Sequence, residues 1–387
     1  ASGGAAQGTA TPRDGFGWRE GRPVLTVSGG NLTMSPVLRL ETDAGSLSGR
    51  FPPGDLRDET DLRRARVGVQ GGIGGAFEYS FIWDFGRDDP IGLNGIYRAQ
   101  IGYTGLGWGT VRLGAFKLLH LPDFSSSSFD LPFLERATVS RLAASVASGD
   151  TRVAFGMEAS GERWNGSLYL TDGVLSERND GGQRGVAGRL AALVVDRPGA
   201  QLQIGFNGAW RFETGGSGVR FSDFPELRVD TRRFLDTGAL RADAAHAAGP
   251  EAIARLGPLV VEALWQGFGA GGRRFEGWYV QATHPLLGPG RRRNAGTAVW
   301  ARPDAADVSL YPAAGRFGAL EVAGRYSTAD LRDGQARGGA QRIWTAALNW
   351  FPRRDLRISA QYSNGDIALD GRASRFQAIG FRVAFDL

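Results

Sequence analysis

The sequence predicts an all-β fold, a transmembrane antiparallel β-barrel of about 16 strands with one connection folded inward. The first observation is the C-terminal segment, where Ile379, Phe381 and Val383 alternate with Gly380 and Arg382. The second is that similar runs recur along all 387 residues, separated by turns rich in glycine and proline. A strand with one apolar face and one small or polar face suits a wall between lipid and a wide aqueous lumen.

The composition agrees with this class. No stretch of about 18 apolar residues is present, so a transmembrane helix is not expected. The chain has no cysteine, which excludes disulfides and thiolate metal sites, and we expect no cofactor. It begins Ala1-Ser2-Gly3-Gly4, without a basic or apolar leader. We therefore expect a mature exported protein whose signal peptide has been removed.

Sixteen strands follow from alternation and turn residues, taken in order along one domain, 1–387. They are predicted at 34–41, 62–70, 76–85, 96–104, 110–117, 152–159, 163–171, 185–195, 201–212, 228–236, 257–267, 275–284, 317–327, 341–351, 355–363 and 376–386. A further strand at 140–147 is possible. Residues 1–30 are expected to form an N-terminal segment in the periplasm or the lumen.

Connections of unequal length indicate the two ends of the barrel. Short turns such as Arg197-Pro198-Gly199 alternate with longer polar loops, as in outer-membrane barrels. The longest early connection, 118–150, is predicted to fold inward as a constriction loop. The strand order places the connections 237–256 and 286–316 at the end with short turns, but both are longer than the other turns there.

Aromatic residues mark one strand face. Phe77, Tyr79, Phe81, Trp83 and Phe85 share one parity, which predicts that they face lipid or a neighbouring protomer.

The charge is unusual in kind. Net charge is +5, and among 45 basic residues only Lys117 is a lysine. One interpretation is GC-rich codon usage. The other is a lumen lined by guanidinium groups, which stay charged and bind oxyanions in a bidentate manner. The two interpretations are compatible.

Several motifs in order resemble the phosphate-selective porins O and P of Gram-negative outer membranes. They are Leu62-Arg63-Arg64-Ala65-Arg66-Val67-Gly68-Val69, Phe77-Glu78-Tyr79-Ser80-Phe81-Ile82-Trp83-Asp84-Phe85, Gly114-Ala115-Phe116-Lys117, the serine run 125–128, Phe133-Leu134-Glu135-Arg136-Ala137, Asp236-Thr237-Gly238, Gly277-Trp278-Tyr279-Val280-Gln281-Ala282 and the stretch from Gly318 to Ser327. The resemblance implies an outer-membrane homotrimer with an arginine-lined pore narrowed by the third loop. Its expected partners are small anions such as phosphate, outer-membrane lipid and lipopolysaccharide, and no nucleic acid.

The resemblance also implies the residues of the constriction. The anion-binding candidates are Arg63, Arg64, Ser127, Ser128, Arg136, Arg39 and Lys117. Arg63 and Arg64 are adjacent, so both reach the lumen only through a bulge or at the barrel mouth. Lys117 is expected to be a second cationic step or to pair with a loop acid.

Two departures from the family pattern bear on selectivity. Phe124 stands where the resemblance implies a lysine, and Tyr97 or Arg98 stands where it implies an acid. The sequence therefore predicts a passive diffusion porin with anion preference but with little preference for phosphate over chloride.

Other functions fit less well. A general porin for sugars or organic solutes stays open. An outer-membrane barrel hydrolase would need a pair such as His120 and Ser125, and the three histidines have no metal-ligand spacing. The arginines are dispersed among 40 acidic residues, unlike the basic stripe of a nucleic-acid binder.

Overall fold

The structure is a computed structural model. It describes residues 14–19, 22–49, 58–86, 95–147, 149, 151–175, 182–216, 218–228, 232–303, 309–334, 336–369 and 371–387. Residues 1–13, 20 and 21 of the predicted N-terminal segment lie outside this set.

Sixteen antiparallel strands form one closed barrel, which confirms the predicted fold class. In chain order they are β1 Leu32–Gly49, β2 Asp58–Ile73, β3 Phe77–Asp84, β4 Ile96–Tyr103, β5 Gly109–Phe116, β6 Arg152–Ser160, β7 Trp164–Val174, β8 Arg184–Arg197, β9 Ala200–Glu213, β10 Ala245–Leu256, β11 Leu259–Ala270, β12 Arg273–Leu287, β13 Ala319–Asp333, β14 Ala336–Arg353, β15 Leu356–Leu369 and β16 Arg372–Asp386. Each strand pairs with the next one, and β16 pairs with β1. Closure leaves the wall without the free edge that an open sheet would expose to lipid.

Shorter elements accompany the wall. They are the helices α1 Pro122–Ser125 and α2 Thr138–Ala144, the 3₁₀ turns Ser28–Gly30 and Pro312–Ala314, and the paired segments Gly15–Arg19 with Arg22–Val27, Ser222–Asp223 with Leu235–Asp236, Arg292–Asn294 with Val299–Ala301, and Leu310–Tyr311 with Arg316–Phe317. The segment Arg22–Val27 extends the wall by pairing Leu25 with Met34 of β1. Within the described residues, no helix is long and apolar enough to cross a membrane.

Side chains alternate across the wall as the sequence predicts. On β16, Ile379, Phe381 and Val383 are exposed outside, whereas Arg382 and Ala384 are buried inside. On β3, Phe81 is 47% exposed, while its neighbours Ser80 and Ile82 are buried. The predicted register is therefore the observed one.

The strand predictions were wrong at two places in the second half of the chain. In the run 228–236, residues 229–231 lie outside the described set. The described residues form no wall strand, since Leu235–Asp236 pairs with Ser222–Asp223 instead. The wall strand is instead β10, within the range predicted as the connection 237–256. A third prediction also fails, because most of 140–147 lies in α2 and is not a strand.

The lumen is narrower than the wide aqueous lumen that the sequence predicts, because parts of three connections fill much of it. Three connections fold into it: 117–151, which we call the inward loop, 214–244, and 288–318. Their described parts supply fully buried aromatic residues, including Phe129, Phe133, Phe221 and Phe234. The connection 288–318 enters from the end that carries the short turns, which explains its length. What space is left inside depends on these connections, not on the wall alone.

Candidate functional site

The inward loop crosses the lumen and is held by the far wall. Arg357 of β15 donates to the backbone carbonyl of Phe129 (2.9 Å), and Asn349 of β14 donates to that of Pro132 (2.8 Å). The backbone N–H of Leu134 donates to Gln361 Oε1 at 2.9 Å. Buried backbone groups need such partners, so polar side chains of the opposite strands fix the path of the loop.

Arg39 meets the serine pair of this loop. Its guanidinium donates to Ser128 Oγ (2.9 Å), to Ser127 Oγ (3.0 Å) and to Asp386 Oδ1 (2.9 Å). Ser128 Oγ donates in turn to Glu41 Oε1 at 3.1 Å. Three of the residues predicted for the site are therefore in direct contact.

Arg63 and Arg64 belong to a compact ionic cluster next to the serine pair. Arg63 holds Glu135 in a bidentate pair (2.6 and 3.1 Å), and Arg64 pairs with Glu41. Arg382 holds Asp43 through two contacts of 2.6 Å. We call these six residues the ionic cluster. Its three guanidinium groups face three carboxylates, so it is close to neutral.

A bulge explains how adjacent arginines both reach the interior. The pairing of β1 with β2 shifts between Glu41 and Asp43, which lie opposite Arg64 and Asp61. The extra residue on β2 turns Arg63 inward beside Arg64, and both are buried.

Glu135 is the member of the cluster that the loop supplies. Burial by itself acts to raise the pKa of its carboxyl group. The nearby guanidinium groups of Arg63 and Arg64 outweigh burial and hold this pKa well below its usual range. Glu135 is therefore ionised at neutral pH and ties the loop to β2.

Arg136 does not join the serine pair. Its Nε donates to the backbone carbonyl of Asp123 (2.9 Å), and its guanidinium lies 4.4 Å from the ring centroid of Phe124. The predicted meeting of Arg136 with Arg63, Arg64 and the serines is not what these contacts show. Arg136 instead braces the first turn of the loop by a cation–π contact.

A cavity of about 740 Å³ lies beside the serine pair. Its basic lining side chains are Arg22, Arg39, Arg66, Arg98, Arg112 and Lys117, and its acidic ones are Glu78, Glu158 and Asp386. Bases therefore outnumber acids around this space, and we call it the basic cavity. Lumenal walls with one prevailing sign of charge concentrate ions of the opposite sign.

Lys117 is part of this cavity, and none of the described acids of the inward loop forms an ion pair with it. Its Nζ donates to the backbone carbonyl of Ser126 at 2.7 Å. Burial lowers the pKa of its ammonium group to about 7, and Arg136 acts in the same direction.

The sequence reasoning missed several residues of the site. Arg66 pairs with Asp84 (2.8 Å) and stacks 3.4 Å from the ring centroid of Tyr97, and Arg112 pairs with Glu78 (2.8 Å). A usable signal was present for Arg66, which shares its parity with Arg64 on one strand. Within the described residues no cluster of acidic and histidine side chains could hold a metal ion.

The chain is similar to known proteins in sequence. The sequence model of a family described as phosphate-selective porin O and P matches residues 37–386. An uncharacterized protein of Caulobacter vibrioides is 26% identical over 368 residues, which cover 89% of this chain and 70% of that protein.

Two solved structures share the fold. The anion-selective porin from Comamonas acidovorans is 13% identical with a TM-score of 0.56, over 92% of this chain and all of that one (100%). OmpT, an outer-membrane protein of Vibrio cholerae in a trimer form, is 11% identical with a TM-score of 0.52, over 92% of this chain and 99% of that one.

Proposed function

This chain belongs to the phosphate-selective porin O and P family, and from that premise we propose that it is a passive diffusion porin with a preference for small anions. The family and the barrel assign it to the outer membrane of a Gram-negative bacterium. The observation that carries the anion preference is the excess of basic over acidic side chains around the basic cavity. No cofactor or energy source is required.

The proposed mechanism is electrostatic. Cations in a narrow, partly desolvated space raise the local concentration of anions and offset the loss of their hydration shell. Release must stay fast, which favours several moderate contacts over one tight site. Arg39, Lys117 and Ser127 line the basic cavity and supply such contacts, and Ser128 supports Arg39 from behind.

The remaining candidates have a different role in this proposal. The carboxylates of Glu135 and Glu41 already occupy Arg63 and Arg64, so these arginines act as positioning residues for the loop. Arg136 positions Phe124 in the same way. Because Phe124 is apolar and covered by Arg136, phosphate gains little there over chloride.

A salt-gradient measurement tests the anion preference. The purified protein is inserted into a planar bilayer, and the reversal potential is measured across a tenfold KCl gradient. We expect a potential displaced toward the chloride equilibrium value. A potential displaced toward that of potassium contradicts the proposal. Block of the chloride current by micromolar phosphate would contradict the weak phosphate preference.

We also propose a homotrimer whose protomers contact each other through the wall β3–β5. These three strands have 8 residues each, fewer than the 9–11 that a tilted strand needs to cross the hydrocarbon. They nevertheless expose Phe81, Ile101 and Leu113. An apolar face made of strands too short to cross the hydrocarbon is stable when a neighbouring protomer covers it. Lipid and lipopolysaccharide then face the longer strands.

A hydrolase is not supported by the geometry of the one candidate pair. His120 is only 1% exposed, and its ring lies 6.2 Å from that of Phe124. Ser125 Oγ accepts a hydrogen bond from Arg189 at 3.1 Å. We therefore propose that the protein has no hydrolytic activity.

A further inference from the structure

The basic cavity is far larger than a hydrated inorganic anion requires. A volume of about 740 Å³ lies within the range of sites that take whole organic molecules, roughly 300–1,000 Å³. Its size therefore leaves room for an organic solute that has an uncharged part as well as a charged group. The side chains that line the cavity indicate the chemistry of that uncharged part.

Arg98 and Lys117 are the basic side chains of this cavity that no described carboxylate contacts. A carboxylate contacts each of Arg39, Arg66 and Arg112. Among the residues that the structure describes, no carboxylate lies within 4.0 Å of Arg98 or Lys117. Both cations flank Tyr97, and the Arg98 guanidinium lies 5.8 Å from its ring centroid. An oxyanion entering the cavity finds its uncompensated partners here.

A row of neutral polar side chains lies beside this charge. Gln70 of β2, Ser80 of β3 and Gln100 of β4 are directly opposite one another in the sheet, and all line the cavity. Arg98 is two residues from Gln100 on the same face of β4, so the Cα atoms of these two residues lie about 6–7 Å apart.

Ser80 in particular lacks a partner. It is 5% exposed, and its hydroxyl has no hydrogen-bond partner within the described part of the chain. Buried polar atoms rarely stay unpaired, so this hydroxyl points to a polar group that occupies the cavity. An amide, a hydroxyl and an amide in a row provide both donors and acceptors, which is what hydroxyl groups need.

We propose that the basic cavity binds hydroxylated organic anions, in which an oxyanion contacts Arg98 and Lys117 and a polyhydroxyl chain lies along Gln70, Ser80 and Gln100. Sugar acids and sugar phosphates share this chemistry. The inference rests on the proposed anion pore and names the class of solute that this pore favours.

Block of the chloride current by matched solutes tests the inference in planar bilayers. Gluconate and hexanoate have six carbons and one carboxylate each, but only gluconate has hydroxyl groups, while glucose has hydroxyls and no charge. We expect gluconate to block at a concentration about tenfold lower than hexanoate or inorganic phosphate, and glucose not to block. Glucose 6-phosphate, measured beside gluconate, separates the phosphate from the carboxylate form of the same chemistry.

Variants locate the effect. Gln100→Leu should weaken gluconate block about fivefold, the loss of roughly one hydrogen bond, and leave hexanoate block unchanged. Arg98→Gln should weaken both. The control is Gln377→Leu, which alters an exposed glutamine on the outer face of β16 and should change neither. Heat-modifiable migration on a gel checks folding, and Ser80→Ala replaces Gln100→Leu if that variant does not fold.

Equal block by gluconate and hexanoate in the unmodified protein overturns the inference. So does a Gln100→Leu variant that weakens both solutes alike. These failures differ from failure of the pore itself: a protein without anion preference in the salt gradient contradicts the proposed function, whereas an anion-selective pore that ignores hydroxyl groups contradicts only this step.

Discussion

Two sets of basic side chains in the lumen differ in charge compensation. Those of the ionic cluster contact carboxylates, and Arg382 has no exposed surface on its side chain. No described carboxylate lies within salt-bridge distance of Arg98 or Lys117. The first group stabilises the loop and the second is available to solutes, so substitutions in the two groups should be distinguishable.

Arg382→Ala should destabilise the barrel by about 3–5 kcal/mol, because Asp43 is then left buried without its partner. The measurement is the temperature at which the folded band is lost on a gel. Arg375→Ala is the control, since its pair with Asp366 is exposed and is worth less than about 1 kcal/mol. Equal losses in both variants would show that the cluster does not stabilise the fold.

Anion selectivity should depend on pH through Lys117. Its pKa is lowered to about 7, so the ammonium is charged below that pH and neutral above it. Between pH 6 and pH 8 the charged fraction falls from about nine-tenths to about one-tenth. Tyr97, Arg66, Arg98 and Arg136 face the ammonium from the neighbouring elements. We therefore expect anion over cation selectivity to decrease across this interval.

Reversal potentials at pH 6, 7 and 8 measure this decrease. The Lys117→Met variant should lose most of this decrease and stay near the level that the unmodified protein reaches at pH 8. A variant that keeps the full pH dependence would assign the titration to another group.

Arg39→Gln should lower anion over cation selectivity several-fold, because it removes a cation from the cavity wall and two donors from Ser127 and Ser128. Arg337→Gln, at an exposed position at the start of β14, should change it little. Both are measured as reversal potentials in the same gradient. An equal effect of the two would mean that selectivity is set by net charge alone.

For individual strands, alternation was a good guide wherever the outer face is apolar. It located β16 and β3 because Phe, Ile and Val occupy every second position. It missed β10, whose outer face has Ala248, Pro250 and Ala252 and so lacks a period-two apolar signal. The run 228–236 alternates better than β10, yet its described residues belong to a connection and not to the wall.

The inward loop, too, was predictable from the sequence only in part. Its position and its serine pair were predictable, and Arg39 was named with them. Its ionic partners were not, since Glu135 and Arg63 are 72 residues apart and meet only because the loop crosses the closed barrel. A bulge in β2, which no local pattern reveals, completes that contact.

The anchoring of the inward loop can be tested at Arg357. Its guanidinium donates to the carbonyls of Phe129 and Leu131 from the far wall. Arg357→Met should release this part of the loop, increase the noise of the open-channel current and raise conductance. Arg372→Met, at the exposed start of β16, is the control. A quiet channel of unchanged conductance would mean that the other anchors hold the loop alone.

At the scale of the whole molecule, the wall strands differ in length, and this difference indicates which side of the barrel contacts a neighbouring protomer. Leu113 is 56% exposed on β5, a strand of 8 residues, and Leu190 is 63% exposed on β8, a strand of 14. Leu113→Arg should abolish trimers while monomeric barrels still fold, because it places a charge in the proposed contact between protomers. Leu190→Arg should instead cost about 2–4 kcal/mol of barrel stability near the bilayer midplane. Its surviving barrels should remain trimeric.

Light scattering in detergent measures the oligomeric state, and migration on a gel measures folding. If Leu190→Arg disperses the trimer and Leu113→Arg does not, the protomers meet through the tall wall, and the short strands β3–β5 face lipid.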